Sequence, residues 1–491
     1  MKKFLTAIIL VSLLLQMAAC GTQSGSPDTS GTDGTTTPAP ETTSYLETLS
    51  NKTFNGETLT IILQHQTAQP NVPPEEQTGE VVDDALFNRD RTVEERLGIE
   101  IEYVAYDDRG KVRTDVQTAI TAGDSTYDLI ITSMAGGLNT LAPQGYLLDL
   151  NIVPALSLDS EWWSQSCHKN LTFNGKQYIT SGPISLAYYY APCVIAFNQR
   201  ITDEYQIPDL YEMVIDGSWT LEQFGQITKN VAKDLNNDGS MTQDDFFAFA
   251  CDELTGQAFI IGCGGSQTEV GEDGNPTLVM NSAKNIDILD KIISVVADDS
   301  MRLLTENVKI SDMNVPAQFK TWHFKNAQTM LMGYNMSGII AYLRDMEDDY
   351  GIIPMPKLNE NQEEYLTYGS PWGPIGVAVP VTCSTERAEM VGTAMEMMAY
   401  LSYTTVGPQM FNITLKEKVS RDENSKAMMD IIYEDIIFDL NGIHNFGGSG
   451  GLLRSCAIGA KENFSSQYAS LLSKAEEELQ TLLDQYYSIV E

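Results

Sequence analysis

Thr58-Leu-Thr-Ile-Ile-Leu63, Ile99-Glu-Ile-Glu-Tyr-Val104 and Tyr127-Asp-Leu-Ile-Ile-Thr132 are three short strand-type runs, and what separates them decides the fold. The first and third are nearly unbroken apolar stretches of the kind buried on both faces; the second alternates. Between the first two, Asp83 to Leu97 repeats Leu86, Val93 and Leu97 on one helical face and stops at Gly98, a glycine suited to the left-handed C′ position. Between the second and third, Val112 to Ala122 reads as a helix ended by Gly123. The order βαβαβ predicts a parallel sheet, and in such sheets ligands collect in the crevice at the strand C-termini. The third strand runs into the loop Ser133-Met-Ala-Gly-Gly137, which places Ser133 and Met134 at that crevice. No Gly-x-Gly-x-x-Gly opens the first helix, which argues against a dinucleotide site.

Upstream of this unit the chain carries an address. Met1-Lys2-Lys3 is a short positive segment and Phe4 to Leu15 an apolar one, too short for the ~20 residues a spanning helix needs. Residues 1–20 therefore read as a signal peptide. Gln16-Met17-Ala18-Ala19-Cys20 resembles a bacterial lipobox, in which Cys20 is lipidated and becomes the first residue of the mature protein; Met17 replaces the usual leucine. Residues 21–44 are rich in Gly, Ser, Thr and Pro, cannot bury a core, and read as a flexible tether. The expected address is the outer face of a bacterial cell membrane, lipid-anchored, of Gram-positive type.

Charge narrows the function. With 67 acids against 30 bases in 491 residues, the formal net charge is −37. Such a surface repels phosphate backbones and anionic lipid headgroups, so nucleic-acid binding is excluded as a main function. The four histidines lie about 100 residues or more apart and show no metal-ligand spacing. Six cysteines besides Cys20 stand in no C-x-x-C pair, several in apolar runs, and are expected to be mostly unpaired thiols.

Downstream, Phe173 to Thr180 reads as a hairpin turning at Asn174-Gly175. Thr220-Leu-Glu-Gln223 is a capping box opening a helix. A helix near Asn285–Ala297, a strand Gln328–Met332 and a long amphipathic helix Ser466–Val490 follow. The sharpest local motif is Asp234-Leu-Asn236-Asn-Asp238-Gly239-Ser240-Met241-Thr242-Gln-Asp-Asp245. It matches the twelve-residue calcium loop: oxygen side chains at positions 1, 3 and 5, glycine at 6, the Ser240 carbonyl at 7, an apolar anchor at Met241, and Asp245 at 12. Calcium takes six to eight oxygens, and this order wraps them around one point. Asp245 is shorter than the usual glutamate, which weakens bidentate ligation. With no second copy in the chain, a structural Ca2+ clip is expected rather than a paired sensor.

Taken in order, the lipobox, the tether, the βαβαβ unit and Gly145-Tyr-Leu-Leu-Asp-Leu150 resemble the extracellular solute-binding lipoproteins of family 1, the receptors of ABC importers for sugars. Glu161-Trp-Trp163, Val194-Ile-Ala-Phe-Asn198, Asp216-Gly-Ser-Trp-Thr220, the calcium loop, Ile352-Ile-Pro-Met-Pro-Lys357 and Arg421-Asp-Glu-Asn-Ser425 extend the similarity over the chain from about Glu57. The resemblance implies a periplasmic-binding-protein type II fold: two α/β lobes, a hinge and an interlobe cleft. Lobe 1 is expected at 45–185 and 357–412, lobe 2 at 186–356 and 413–491. It further implies a monomer that captures a carbohydrate and hands it to the transmembrane subunits of an ABC permease.

Sugars offer apolar C–H faces and many hydroxyls, so their sites combine aromatic platforms with a few fixed polar groups. Candidates at strand ends and crossings are Ser133, Met134, Tyr188, Tyr189, Tyr190, Tyr334, Asn335 and Trp372, the three tyrosines being read as part of a strand. Trp162, Trp163 and Trp219 read as packing residues. Few basic residues stand in these loops, which argues against uronates or sugar phosphates. Two other functions use compatible features. A secreted glycan hydrolase would need two carboxylates in a cleft, though no Gly-x-Ser-x-Gly or His-Glu-x-x-His is present. A sugar-sensing receptor for a membrane kinase would use the same fold.

Overall fold

The structure, a computed structural model, describes residues 42–49, 52–66, 71–308, 316–417, 423–459 and 463–489. The signal segment, Cys20 and the tether up to residue 41 lie outside the described residues. A helix, Thr42–Thr48, begins within the stretch read as tether, and the packed body is Tyr45–Glu491.

Two five-stranded sheets organise that body. The first has the order Ile99–Tyr106, Glu57–Gln64, Leu129–Thr132, Gly376–Ala378, Thr180–Ser181. Its first three strands are parallel, with Ile61 opposite Tyr103 on one side and Leu129 on the other. The strand Gly376–Ala378 then joins antiparallel, 244 residues along the chain from Thr132, to which Gly376 pairs. Both faces are covered. Leu59, Ile61, Leu63, Leu129 and Ile131 point into one cluster with Val93, Leu97, Met395 and Met398. Ile62 and Ile130 point into another with Val112, Val116 and Leu138. This period-two split explains why the strands read as continuous apolar runs. The helices between them, Val81–Leu97 and Arg109–Thr121, stop as expected: Gly98 takes φ 62° and donates its amide to the Glu94 carbonyl at 2.8 Å.

The second sheet has the order Arg302–Leu304, Phe247–Cys251, Thr329–Asn335, Cys193–Asn198, Tyr350–Ile353. Its first three strands are parallel and Cys193–Asn198 is antiparallel to the third. Its main core gathers Val194, Ile195, Trp219, Phe224, Phe249, Phe259, Leu331 and Ile352. Asn174 at φ 52° and Gly175 at φ 72° turn the expected hairpin, whose strands are Thr172–Phe173 and Lys176–Gln177. Thr220 caps the helix Leu221–Thr228 by accepting the Gln223 amide.

The chain passes between the sheets at Ser181–Cys193, through the 3-10 helix Leu186–Tyr190, and again at Ile353–Gly376, through Thr367–Tyr368. Near the C-terminus, Ile436–Ile437 pairs in parallel with Thr367–Tyr368 along this second passage. Residues 413–491, expected wholly with lobe 2, divide. Leu453, Cys456, Phe464 and Tyr468 join the second sheet's core. Phe438, Ile443, Leu479, Leu482 and Tyr486 pack with Phe173 and Tyr178 against the first sheet. The helix Phe464–Ser488 has 25 residues and so spans about 37 Å, long enough to serve both. The six described cysteines are buried, and burial pushes the thiols of Cys167, Cys251 and Cys263 up to about 12.

Candidate ligand cleft

A run of backbone hydrogen bonds stitches the two sheets together where the chain crosses. The Ala135 amide, just past the first sheet's third strand, donates to the Pro371 carbonyl at 3.1 Å. Ser370 donates to Ala191 at 2.9 Å, Gly369 bridges Pro192, and the Pro192 carbonyl accepts the Met336 amide at 2.8 Å at the end of the second sheet's third strand. The C-terminal edges of both sheets therefore meet at Gly369-Ser-Pro-Trp372. Ser185 Oγ donates to the Pro374 carbonyl at 2.6 Å, tying the first passage to the second.

On the first-sheet side, Trp372 is 40% exposed, in contrast to Trp162, Trp163 and Trp219, which are buried. The Arg109 guanidinium stands 5.2 Å from its ring centroid, a cation–π contact. Arg109 opens the helix that follows strand Ile99–Tyr106, so it occupies the same strand-end position as Ser133 does two strands away, across Glu57–Gln64. Gly136 lets it approach: the backbone there has φ 77°, and a Cβ would sit 3.1 Å from Arg109 Nε. Arg113, one turn along, points Nη1 at the Gly136 carbonyl at 3.4 Å.

On the second-sheet side, Asp252 follows strand Phe247–Cys251 and caps the helix Glu253–Gly262, accepting the Thr255 amide at 3.0 Å. Its other oxygen pairs with Lys320, whose side chain is fully buried. Lys320 Nζ also lies 3.9 Å from the ring centroid of Tyr334. Burial alone would raise the Asp252 carboxyl. The Lys320 charge and the Lys320 and Thr255 hydrogen bonds outweigh it and hold that carboxyl below the usual range. Burial, followed by the Asp252 charge, pushes the Tyr334 hydroxyl up, so it stays protonated. Gly338 makes room for this ring, since a Cβ there would fall 1.7 Å from it.

These placements separate the expected site residues. Trp372 is at the crossing and 40% exposed; Tyr334 is half-buried at the end of the second sheet's third strand, two residues before Met336. Asn335 turns its oxygen to the Gly338 amide at 3.1 Å and acts as a helix cap. Ser133 and Met134 are at the strand end but buried: Ser133 Oγ donates to the Ala135 carbonyl, and Met134 packs with Ile130 and Leu138. Tyr188, Tyr189 and Tyr190 lie on a 3-10 helix, not in a strand. Tyr189 and Tyr190 pack with Val82, Leu86, Val406 and Met410, and Tyr188 is half-buried against the same cluster. A helical turn spreads three consecutive rings over three directions, and here two of them enter the packing between passages. Arg109, Arg113, Asp252 and Lys320 were missed. Arg109 and Asp252 were open to the strand-end argument that singled out Ser133, applied to the other parallel strands of the two sheets; Lys320 was not, since it comes from a helix packed against the second sheet.

The calcium-type loop folds on itself. Asp234 accepts the amides of Asn237 and Gly239 at 2.7 and 2.8 Å. Asn236 accepts that of Asp238, and Asp238 that of Ser240, each at 2.8 Å. Gly239 takes φ 85°. Asp245 is fully buried, and its carboxyl is held low by the amides of Thr242 and Leu235. Among the described residues, no group of three His, Cys, Asp or Glu side chains converges as a metal-holding set. The loop lies on the second-sheet body, where His323 Nε2 is 3.1 Å from the Gln243 carbonyl.

The two sheets, each with an antiparallel strand inserted by a chain that crosses between them, define a two-lobed fold of the periplasmic-binding-protein type II class. Three solved structures share it. The ABC substrate-binding protein Lmo0181 from Listeria monocytogenes, in complex with cycloalternan, is 14% identical with a TM-score of 0.51, covering 87% of this chain and 99% of its own. UgpB from Mycobacterium tuberculosis, in complex with glycerophosphocholine, is 14% identical with a TM-score of 0.53, covering 82% and 95%. UspC from M. tuberculosis is 13% identical with a TM-score of 0.51, covering 87% and 100%. No family model and no curated protein matches the sequence.

Proposed function

We propose that this protein is a solute-binding receptor that captures a carbohydrate between its lobes and delivers it to the transmembrane subunits of an ABC importer, held at the outer face of the membrane by a lipid on Cys20. The observation that carries this reading is the meeting of two sheet edges at Gly369–Trp372, with a solvent-open tryptophan on one side and the Asp252–Lys320–Tyr334 group on the other. A flat aromatic face and fixed charged and polar groups suit a sugar ring. A crossing of few backbone segments suits a hinge with two arrangements, which a permease needs to distinguish loaded from empty receptor. A neighbour of the same fold, named an ABC substrate-binding protein and solved in complex with cycloalternan, supports it. Among the described residues no helix is long and apolar enough to cross a membrane.

Thermal-shift and calorimetric titration of the protein against neutral and charged oligosaccharides, with chromatography of the mixtures, tests the proposal. Saturable binding without product supports a receptor; product formation, or no binding across the panel, removes it.

The loop 234–245 is proposed to hold Ca2+ through Asp234, Asn236, Asp238, the Ser240 carbonyl and Asp245, clipping the second lobe. Oxygen-bearing side chains stand at positions 1, 3, 5 and 12 of the loop, and Gly239, at φ 85°, supplies the left-handed backbone the turn requires. Native mass spectrometry after desalting and calcium supply should show one bound ion, lost in Asp234→Ala; absence of calcium at millimolar supply overturns it.

A further inference from the structure

We infer that the ligand carries negative charge, and that Arg109 and Arg113 receive it at the edge of Trp372. This rests on the carbohydrate-receptor reading above and narrows it to acidic glycans, those with uronate carboxylates or sulfate esters.

In a chain with 67 acids and 30 bases, a basic side chain has carboxylates to pair with almost everywhere. Lys111, on the same helix, pairs with Asp115 one turn away, and Arg91 on the preceding helix pairs with Glu94 at 2.7 Å. Arg109 and Arg113 do not. Among the described residues their contacts are the Trp372 ring and the Gly136 carbonyl, neither of which carries a charge. The acids that flank them in sequence are engaged or exposed. Asp115 serves Lys111, Asp108 accepts the Gly110 amide at 2.7 Å, and Asp107 is exposed beyond the end of the strand.

Both arginines are half-buried at the ligand-facing end of a parallel sheet and sit one helical turn apart, on one face of their helix. A guanidinium matches a carboxylate or sulfate with two parallel hydrogen bonds. Arg109 stands at the Trp372 ring and Arg113 one turn along, so an acidic group held by the guanidinium groups lies beside a 40% exposed aromatic ring suited to the apolar side of a sugar. Across the cleft, Lys320 is neutralised by Asp252, with Glu253 donating its amide to Glu306 nearby. The basic residues come from the helix after strand Ile99–Tyr106, outside the loops whose composition argued against uronates.

Calorimetry with trigalacturonate, its carboxyl-reduced neutral counterpart and a chondroitin 6-sulfate tetrasaccharide tests this. At least one acidic glycan should bind, and the neutral counterpart of trigalacturonate about tenfold or more weaker. The two acidic probes separate carboxylate from sulfate recognition. Arg109→Gln with Arg113→Gln should abolish the preference while the melting temperature stays near that of the parent. Acidic binding should also weaken with added salt. Equal binding of charged and neutral forms, or a preference that survives the double substitution, overturns the inference and leaves the carbohydrate reading intact. Failure of every glycan to bind, charged or neutral, instead removes the reading on which it rests.

Discussion

Lys320 Nζ stands 3.9 Å from the centroid of the Tyr334 ring while pairing with Asp252, so one buried cation joins a helix, a strand and a helix cap at the C-terminal edge of the second sheet's parallel strands. Removing one member of a buried pair costs more than the pair is worth, because the survivor keeps its desolvation penalty. Lys320→Met should therefore destabilise the protein by about 3 kcal/mol in urea titration. Adding Asp252→Asn, which keeps the cap and removes the charge, should recover part of that loss. A single variant within about 0.5 kcal/mol of the parent would contradict the assignment.

Glu396 is the corresponding anchor of the first lobe. Fully buried, it accepts from Tyr45 Oη at 2.6 Å, Trp162 Nε1 at 3.0 Å, Trp163 Nε1 at 2.8 Å and the Ser157 amide at 3.2 Å. Burial and the bond to Glu396 hold the Tyr45 hydroxyl protonated. Glu396→Ala leaves these donors without their acceptor and should cost about 3 kcal/mol or more. The tryptophan emission should change with it, since both indoles lose the same partner.

Trp372 behaves oppositely. Being 40% exposed, it contributes little to the core, and Trp372→Ala should change stability by less than about 0.5 kcal/mol. Ligand affinity should fall by about 2 kcal/mol, roughly 30-fold, as expected of an aromatic anchor. Unchanged affinity in a folded variant would move the platform elsewhere.

Acid should unfold the protein partly through His323. Burial lowers this imidazole from 6.5 to about 4, and Thr329 Oγ1 and the Gln243 carbonyl occupy its two nitrogens. Between those values the unfolded chain binds the proton that the folded chain refuses. Stability is therefore fully present above 6.5 and falls as pH drops toward 4. His323 contributes up to about 1.4 kcal/mol per pH unit within the window. His444, half-buried on Phe446, shifts in the same direction. In urea titrations at pH 7, 6 and 5, His323→Gln should flatten this slope; an unchanged slope would assign it to other groups.

Much of the fold was legible because its signals are local. Leu86, Val93 and Leu97 on one face with Gly98 after them suffice for a helix and its end, and Asn174-Gly175 for a turn. Alternation of Ile61, Ile62 and Leu63 between two clusters follows from the two-residue period of any strand. The site was less legible. Tyr188 to Tyr190 were read as strand because aromatic runs favour strands, yet the packing of Val82, Leu86 and Val406 around them selects a 3-10 turn. Asn335 was read as a ligand group and serves a helix start, the commoner use of an asparagine at that position.

The sequence by itself determined most of the strands, the helices and their caps, since each depends on neighbours a few residues apart. Only the tertiary structure decided that Arg109 lies over Trp372, 263 positions away, and that Lys320 is spent on Asp252. Which cation is neutralised and which is left for a ligand depends on distances across the fold, and those are set by how two sheets meet, not by spacing along the chain.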